Sequence, residues 1–148
     1  PVGFAGSFHG ELTGAQNTRF LARVYGADTT ELQRFVEDFA ELGAQFHKPY
    51  RYYSSGMKSR LAFGISMGVA FDTYLIDEVT SVGDAAFREK STMLLEQRLK
   101  TSGAIVVSHG KRILRRLCDS AAILENGQLQ FFEDLEEALE IHEKRLLQ

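Results

Sequence analysis

The chain has little cysteine, little proline and no tryptophan. A single cysteine, Cys118, among 148 residues excludes an internal disulfide. It fits a reducing cytosol and reads as a small core residue. Two prolines and the lack of any low-complexity tract exclude a linker or a disordered chain. Positive charge is not in excess either. With 17 Lys and Arg against 20 Asp and Glu, the net charge of −3 gives no electrostatic footprint for nucleic acid. No run approaches the roughly 18 apolar residues of a membrane-spanning helix, and no internal repeat is visible. What remains, 44% hydrophobic and 25% charged, is ordinary globular material sized for one domain.

What is present is an ordered set of short motifs. Ser54-Ser55-Gly56 precedes a segment whose apolar residues Leu61, Ile65, Met67, Gly68 and Val69 fall at roughly helical spacing. Serines at such a place cap a helix by accepting backbone N–H bonds, and glycine lets a ligand approach the backbone. A helix N-terminus carries unpaired N–H groups and partial positive charge, which suits a phosphate. An ordinary capped helix over a tight turn is the alternative. Residues 71–76 read as a buried strand, with Asp77 and Glu78 at its carboxyl end, where open α/β sheets place their ligands. Neighbouring strand residues point opposite ways, so the two acids suit different tasks. One fits Mg²⁺ held through water, the other the orientation and deprotonation of an attacking water; a solvated acidic loop is the alternative. Asp84 reads as the cap of a following helix. Residues 103–107 form a second buried-strand run ending in Ser108-His109, where a histidine can hydrogen-bond a terminal phosphate or a water.

Taken in order, Ser-Ser-Gly-Met-Lys-Ser-Arg (54–60), Tyr-Leu-Ile-Asp-Glu (74–78), Thr-Ser-Val-Gly-Asp (80–84) and Val-Ser-His (107–109) resemble the signature motif, Walker B motif, D-loop and switch histidine of ABC-type ATPases. The wording of Ser-Ser-Gly-Met and of residues 77–90 resembles the branch that energises export of capsule, O-antigen or teichoic acid, and the short tail is most like the capsular type. The resemblance implies an α/β, partial P-loop NTPase fold: a three-layer core with a mostly parallel sheet, a helical subdomain at about residues 11–60, and residues 61–148 as the C-terminal part of the RecA-like core with a terminal hairpin plus helix.

It implies ATP and Mg²⁺ as cofactors. Glu78 becomes the general base, His109 steadies the γ-phosphate and water, and Asp77 holds Mg²⁺ through water. Ser54, Ser55, Gly56 and Met57 grip the γ-phosphate of ATP bound on the opposite subunit, while Ser81 and Asp84 fall in the D-loop. The implied partners are a second ATPase subunit, as a homodimer, and a polytopic membrane permease at the cytoplasmic face of the inner membrane, with no nucleic acid. Ser55 and Met57 depart from the commonest signature, and Val79 replaces the usual proline after Walker B.

These residues contain no G-x-x-x-x-G-K-[ST] phosphate loop. In the family that loop precedes the region matching Pro1, so the expectation is the C-terminal two-thirds or so of an ABC ATPase. A non-catalytic remnant or interaction module is the alternative; a soluble ABC ATPase of DNA repair or translation is opposed by the lack of basic character.

The remaining stretches read as follows. His9 stands near the place of the family's Q-loop, where a glutamine is expected; it is a candidate polar contact or a plain loop histidine. Thr13 caps a helix through Tyr25 with Phe20, Leu21 and Val24 inward, and Asp28 or Thr29 caps the next, with Leu32, Phe35, Val36, Phe39, Ala40 and Leu42 inward. The exposed faces of this helix pair are a candidate surface for the membrane partner, or plain solvated surface. After Asp84 a helix places Phe87, Met93, Leu94, Leu95 and Leu99 inward. Residues 111–118 are a basic amphipathic helix whose Arg112, Arg115 and Arg116 form a membrane-surface patch or a solvated face. Strands at 121–124 and 128–132 flank Glu125-Asn126-Gly127, a hairpin signal, and residues 133–148 form an amphipathic helix. A core short of its first strands exposes sheet edge and apolar surface, so poor solubility is expected.

Overall fold

Each of the first four α-helices opens on a side-chain cap. Thr13 Oγ1 accepts the Gln16 backbone N–H while Gln16 Oε1 accepts that of Thr13, a reciprocal pair that starts α1 (Gly14–Val24). Asp28 Oδ1 accepts from the Thr30 and Glu31 N–H groups at the head of α2 (Thr29–Ala40). Ser54 caps α3 (Ser55–Gly68) and Asp84 caps α4 (Ala85–Leu99). Each cap satisfies backbone donors that a first helical turn leaves unpaired. The computed structural model describes residues 7–77 and 84–146, and the chain divides into two units, Pro1–Ile105 and Val106–Gln148.

In the first unit, α1, α2 and α3 share one core in which Leu21, Leu32, Val36, Leu61 and Ile65 meet Phe46 and Tyr53. Helices α2 and α3 come close because Gly64 and Gly68, one turn apart, present no side chain. A Cβ on Gly68 would lie 2.3 Å from Leu32 Cδ1. The buried face of α1 corrects the expectation. Leu21 is inside, but Phe20 and Val24 are 52% and 58% exposed. Asn17 and Thr18 take the inner face instead. Asn17 Nδ2 donates to the carbonyl oxygens of His9, Leu12 and Thr13 at 3.1, 3.2 and 3.0 Å, and Thr18 Oγ1 donates to Gly14 O at 2.8 Å. Polar groups whose bonds are filled locally lose little on burial.

Strands β1 (Thr73–Asp77) and β2 (Gly103–Val107) pair in parallel, with α4 as the crossover between them. The expected α/β class is therefore the one observed. Tyr74 and Ile76 of β1 are buried while Leu75 is exposed. The expectation that β2 is a buried run is corrected: Ile105 and Val107 are 61% and 59% exposed, because no described element covers them. Met93 is likewise exposed, since the inner row of α4 runs Phe87, Ser91, Leu95 at four-residue intervals and Met93 falls outside it.

The second unit contains α5 (Lys111–Leu117), β3 (Ala121–Glu125), β4 (Gln128–Phe132) and α6 (Leu135–Leu146). Asn126 and Gly127, at φ 50° and 77°, make the two-residue turn that matches the twist of an antiparallel pair. Helix α6 covers one face of this hairpin through Ile123, Phe132 and Ala138. Arg145 donates to Glu125 Oε2 at 2.8 Å and to Gln130 Oε1 at 2.9 Å. Two cations of the basic helix α5 are paired at the surface with acids of α6. Arg115 forms a two-bond pair with Glu136 at 2.7 and 2.8 Å, and Lys111 pairs with Glu143 at 2.8 Å. Among the described residues no helix is long and apolar enough to cross a membrane.

Candidate functional site

The approach to α3 is braced by the loop that carries His9. Residues 49–51 run beside residues 10–13, with the Tyr50 N–H donating to Leu12 O and the Arg51 N–H to Gly10 O, both at 2.9 Å. Arg51 also pairs with Glu11, and Phe8 stacks on Tyr50 with ring centres 4.9 Å apart. Tyr53 is buried and donates its hydroxyl to Gln45 O at 2.7 Å. Burial pushes its ionisation up to about 12, against an opposing backbone hydrogen bond from Gly14. His9 itself is exposed. Its backbone N–H donates to Asn17 Oδ1 at 2.9 Å and its Nδ1 accepts the Glu11 N–H at 3.3 Å, so its bonds hold the loop.

This frame delivers the chain to the head of α3, where Ser54, Ser55, Gly56, Met57 and Asp84 line one depression of about 520 Å³ together with Ser59 and Arg60. The two serines divide their work. Ser54 Oγ accepts the Met57 N–H at 3.3 Å and so acts as the cap. Ser55 is exposed at the first helical position, where backbone N–H groups have no partner inside the helix. Gly56 follows with no Cβ to block approach. Met57 is half-buried and packs against the first-unit core, which anchors the turn.

Arg60, not singled out from the sequence, ties this turn to Asp84. Its Nη2 donates to Asp84 Oδ2 at 2.8 Å, while Asp84 Oδ1 accepts the Phe87 N–H at 2.9 Å. The guanidinium also lies over the Phe87 ring, 4.4 Å from its centre, and its Nη1 stands 3.6 Å from Glu41 Oε2. Glu41, held in the left-handed region at φ 53° at the end of α2, also pairs with Lys90 of α4. The Phe87 N–H and the Arg60 charge hold the Asp84 carboxyl below its ordinary range; Lys90 does the same for Glu41. In the sequence Arg60 is simply the last residue of the Ser-Ser-Gly-Met-Lys-Ser-Arg run, with nothing there to name its partners.

Asp77 stands exposed at the carboxyl end of β1, outside the lining of the depression. Glu78 and Ser81 lie outside the described residues. His109, exposed just past β2, belongs to the second unit. The head of α3 fits a phosphate: free N–H donors, an exposed hydroxyl and a close backbone approach converge there. Asp77 fits a Mg²⁺ bound through water, since that ion keeps most of its waters and needs few protein carboxylates.

The capped α3 turn thus sits on a parallel α/β scaffold, and it is comparison with known proteins that gives the class. A solved structure of the ATP-binding subunit of an ABC transporter has the same fold, with a TM-score of 0.74 at 23% identity, covering 90% of this chain and 59% of that one. The chain is 45% identical over 142 residues to the ATP-binding protein BexA of Haemophilus influenzae, covering 96% of this chain and 65% of the relative. It is 44% identical to the capsule polysaccharide export ATP-binding protein CtrD of Neisseria meningitidis, covering 96% and 66%. To the polysialic acid transport ATP-binding protein KpsT of Escherichia coli it is 47% identical, covering 99% and 68%. No family model matches the chain. The chain belongs to the ATP-binding proteins of ABC-type polysaccharide export systems, and it spans about two thirds of the length of these relatives, 65% to 68%.

Proposed function

We propose that this chain is the signature-bearing part of the ATP-hydrolysing subunit of a polysaccharide exporter, working as one of two such subunits beneath a membrane permease on the cytoplasmic face. The observation that carries the reading is the head of α3, where Ser54 is spent as the cap and the exposed Ser55 and Gly56 are left to meet a phosphate. In this role Ser55 Oγ and the first backbone N–H groups of α3 donate to the γ-phosphate of ATP held by the second subunit, and the helix dipole supports the charge. Met57 fixes the turn from beneath. Bound ATP–Mg²⁺ supplies the phosphoryl group and charge neutralisation. Asp77 would hold the ion through water, Glu78 would take the proton of the attacking water, and His109 would donate to the terminal phosphate. Asp84, fastened to α3 through Arg60, would carry the state of one subunit to the other, with Ser81 in the same loop.

ATP–Mg²⁺ binding and turnover, compared between this chain and one extended upstream in its gene, test the reading. We expect the extended chain to hydrolyse ATP, Glu78→Gln to lower its turnover by about 100-fold or more while leaving binding intact, and Ser55→Glu to abolish turnover. Turnover that survives Glu78→Gln overturns the site assignment.

A further inference from the structure

A second depression, of about 430 Å³, lies between α1 and α2 and is lined by Arg19 and Arg23 of the first helix and Arg34 of the second. The N-terminal threonines of α2, Thr29 and Thr30, complete one wall. Three arginines thus line one hollow in a chain whose net charge is −3. Neutralisation within the hollow is slight. Arg19 Nη2 donates to a neutral acceptor, Gln33 Oε1, at 3.3 Å. The single carboxylate of the lining, Glu37, faces His47 Nε2 at 3.2 Å. A surface that only needed solubility would intersperse the signs; this one gathers cations around a concave space, the arrangement that receives a multiply bonded oxyanion.

The apolar residues left exposed on α1 add a second property. Phe20 and Val24 each follow one of the arginines of that helix, Arg19 and Arg23, about 100° further round the helix axis. An apolar row therefore runs alongside the cationic hollow on the same exposed surface. A soluble phosphate has no use for that row, whereas a phospholipid presents both chemistries, an anionic headgroup over hydrocarbon.

We infer that Arg19, Arg23 and Arg34 form a seat for the phosphate of an anionic lipid headgroup, with Phe20 and Val24 dipping into the interface beside it. This membrane contact is separate from the α3 site and independent of the nucleotide reading, because it needs no nucleotide and no second subunit. It also differs from the basic face considered on α5, where Lys111 and Arg115 are engaged by Glu143 and Glu136.

Co-sedimentation of the chain with phosphatidylcholine vesicles, with and without phosphatidylglycerol, tests the inference. We expect partitioning only into the phosphatidylglycerol vesicles. Arg23→Gln with Arg34→Gln should weaken it on the order of 30-fold, from the typical worth of two arginines at an anionic surface. Phe20→Ser with Val24→Ser should weaken it further at constant charge. These side chains lie at the surface, and circular dichroism of each variant checks that the helices persist. Equal partitioning into both vesicle types, or an arginine variant that partitions like the parent, overturns the inference. So does loss of binding in millimolar glycerol 1-phosphate combined with no effect of the Phe20 and Val24 changes, which assigns the hollow to a soluble phosphate. Binding of polyglutamate without binding of vesicles overturns it too, in favour of an acidic protein segment.

Discussion

At the scale of the residue, the most connected side chain near the α3 head is Arg60. It touches the end of α2 through Glu41 and the head of α4 through Asp84 and Phe87. Its partner Asp84 has its carboxyl lowered first by the Phe87 N–H bond and then by the Arg60 charge, against a smaller opposing effect of desolvation than that bond. A carboxyl lowered on folding contributes stability above its ordinary value of 3.8, and that contribution disappears as pH falls through the lowered folded value. Arg60→Ala removes one of the lowering causes and leaves the backbone N–H bonds of Phe87 and Ala86 and the charge of Arg88. We therefore expect carbon-13 NMR of the Asp84 carboxyl to show its titration moving part of the way back towards the ordinary value, with a lower urea midpoint at neutral pH and a smaller loss of stability on acidification. An unchanged Asp84 titration would show that the 2.8 Å contact does not persist in solution. The Ser-Ser-Gly-Met motif and Asp84 were legible in the sequence because caps and turns are local chemistry. Arg60 was not, because its meaning lies in partners remote in sequence, Asp84 and Glu41.

At the scale of the element, the caps at Thr13, Asp28, Ser54 and Asp84 and the Asn126-Gly127 turn all stand where the sequence predicts them, since each depends on residues within three or four positions. Burial is the part that misleads. Hydrophobicity placed Phe20 and Val24 inside, yet Asn17 and Thr18 are the buried side chains because three carbonyls and one carbonyl respectively satisfy them. The α2–α3 contact was equally hidden: nothing in the periodicity marks Gly64 and Gly68 as the seam. The space there is quantitative. A Cβ on Gly68 meets Leu32 Cδ1 at 2.3 Å and Phe35 Cδ1 at 2.8 Å, whereas one on Gly64 meets Phe39 Cδ1 at 3.4 Å. Gly68→Val should force the helices apart and lower stability by about 1–3 kcal/mol, the usual cost of overpacking. Gly64→Ala should cost clearly less, because its neighbours need to give by only a few tenths of an ångström. Urea unfolding of the two variants decides the order, and a Gly68→Val chain as stable as the parent would mean that the α2–α3 spacing is wrong.

At the scale of the whole molecule, the apolar surface is unevenly covered, and this bears on how the chain behaves in solution. In the second unit α6 shields one face of the β3–β4 hairpin, but the alternate residues Leu124, Leu129 and Phe131 on the other face are 71%, 69% and 67% exposed. Leu124 stands directly opposite Leu129 in the register, and Phe131 opposite Ala122, so these side chains adjoin rather than scatter. A contiguous apolar face of this kind promotes association, while isolated exposed apolar residues do not. In the first unit Ile105 is exposed as well, on a strand that lies at the edge of a two-stranded sheet. The hairpin face can be tested alone, because its covered side carries the packing with α6 through Ile123 and Phe132. Leu129→Lys with Phe131→Thr leaves those contacts intact and puts a charge and a β-forming polar residue on the open side. We expect the substituted chain to shift towards monomer in sedimentation velocity at matched concentration, with its far-ultraviolet circular dichroism unchanged. If the distribution of species does not move, association resides on the exposed strand of the first unit, and substituting Ile105 by threonine should then produce the shift that the hairpin did not.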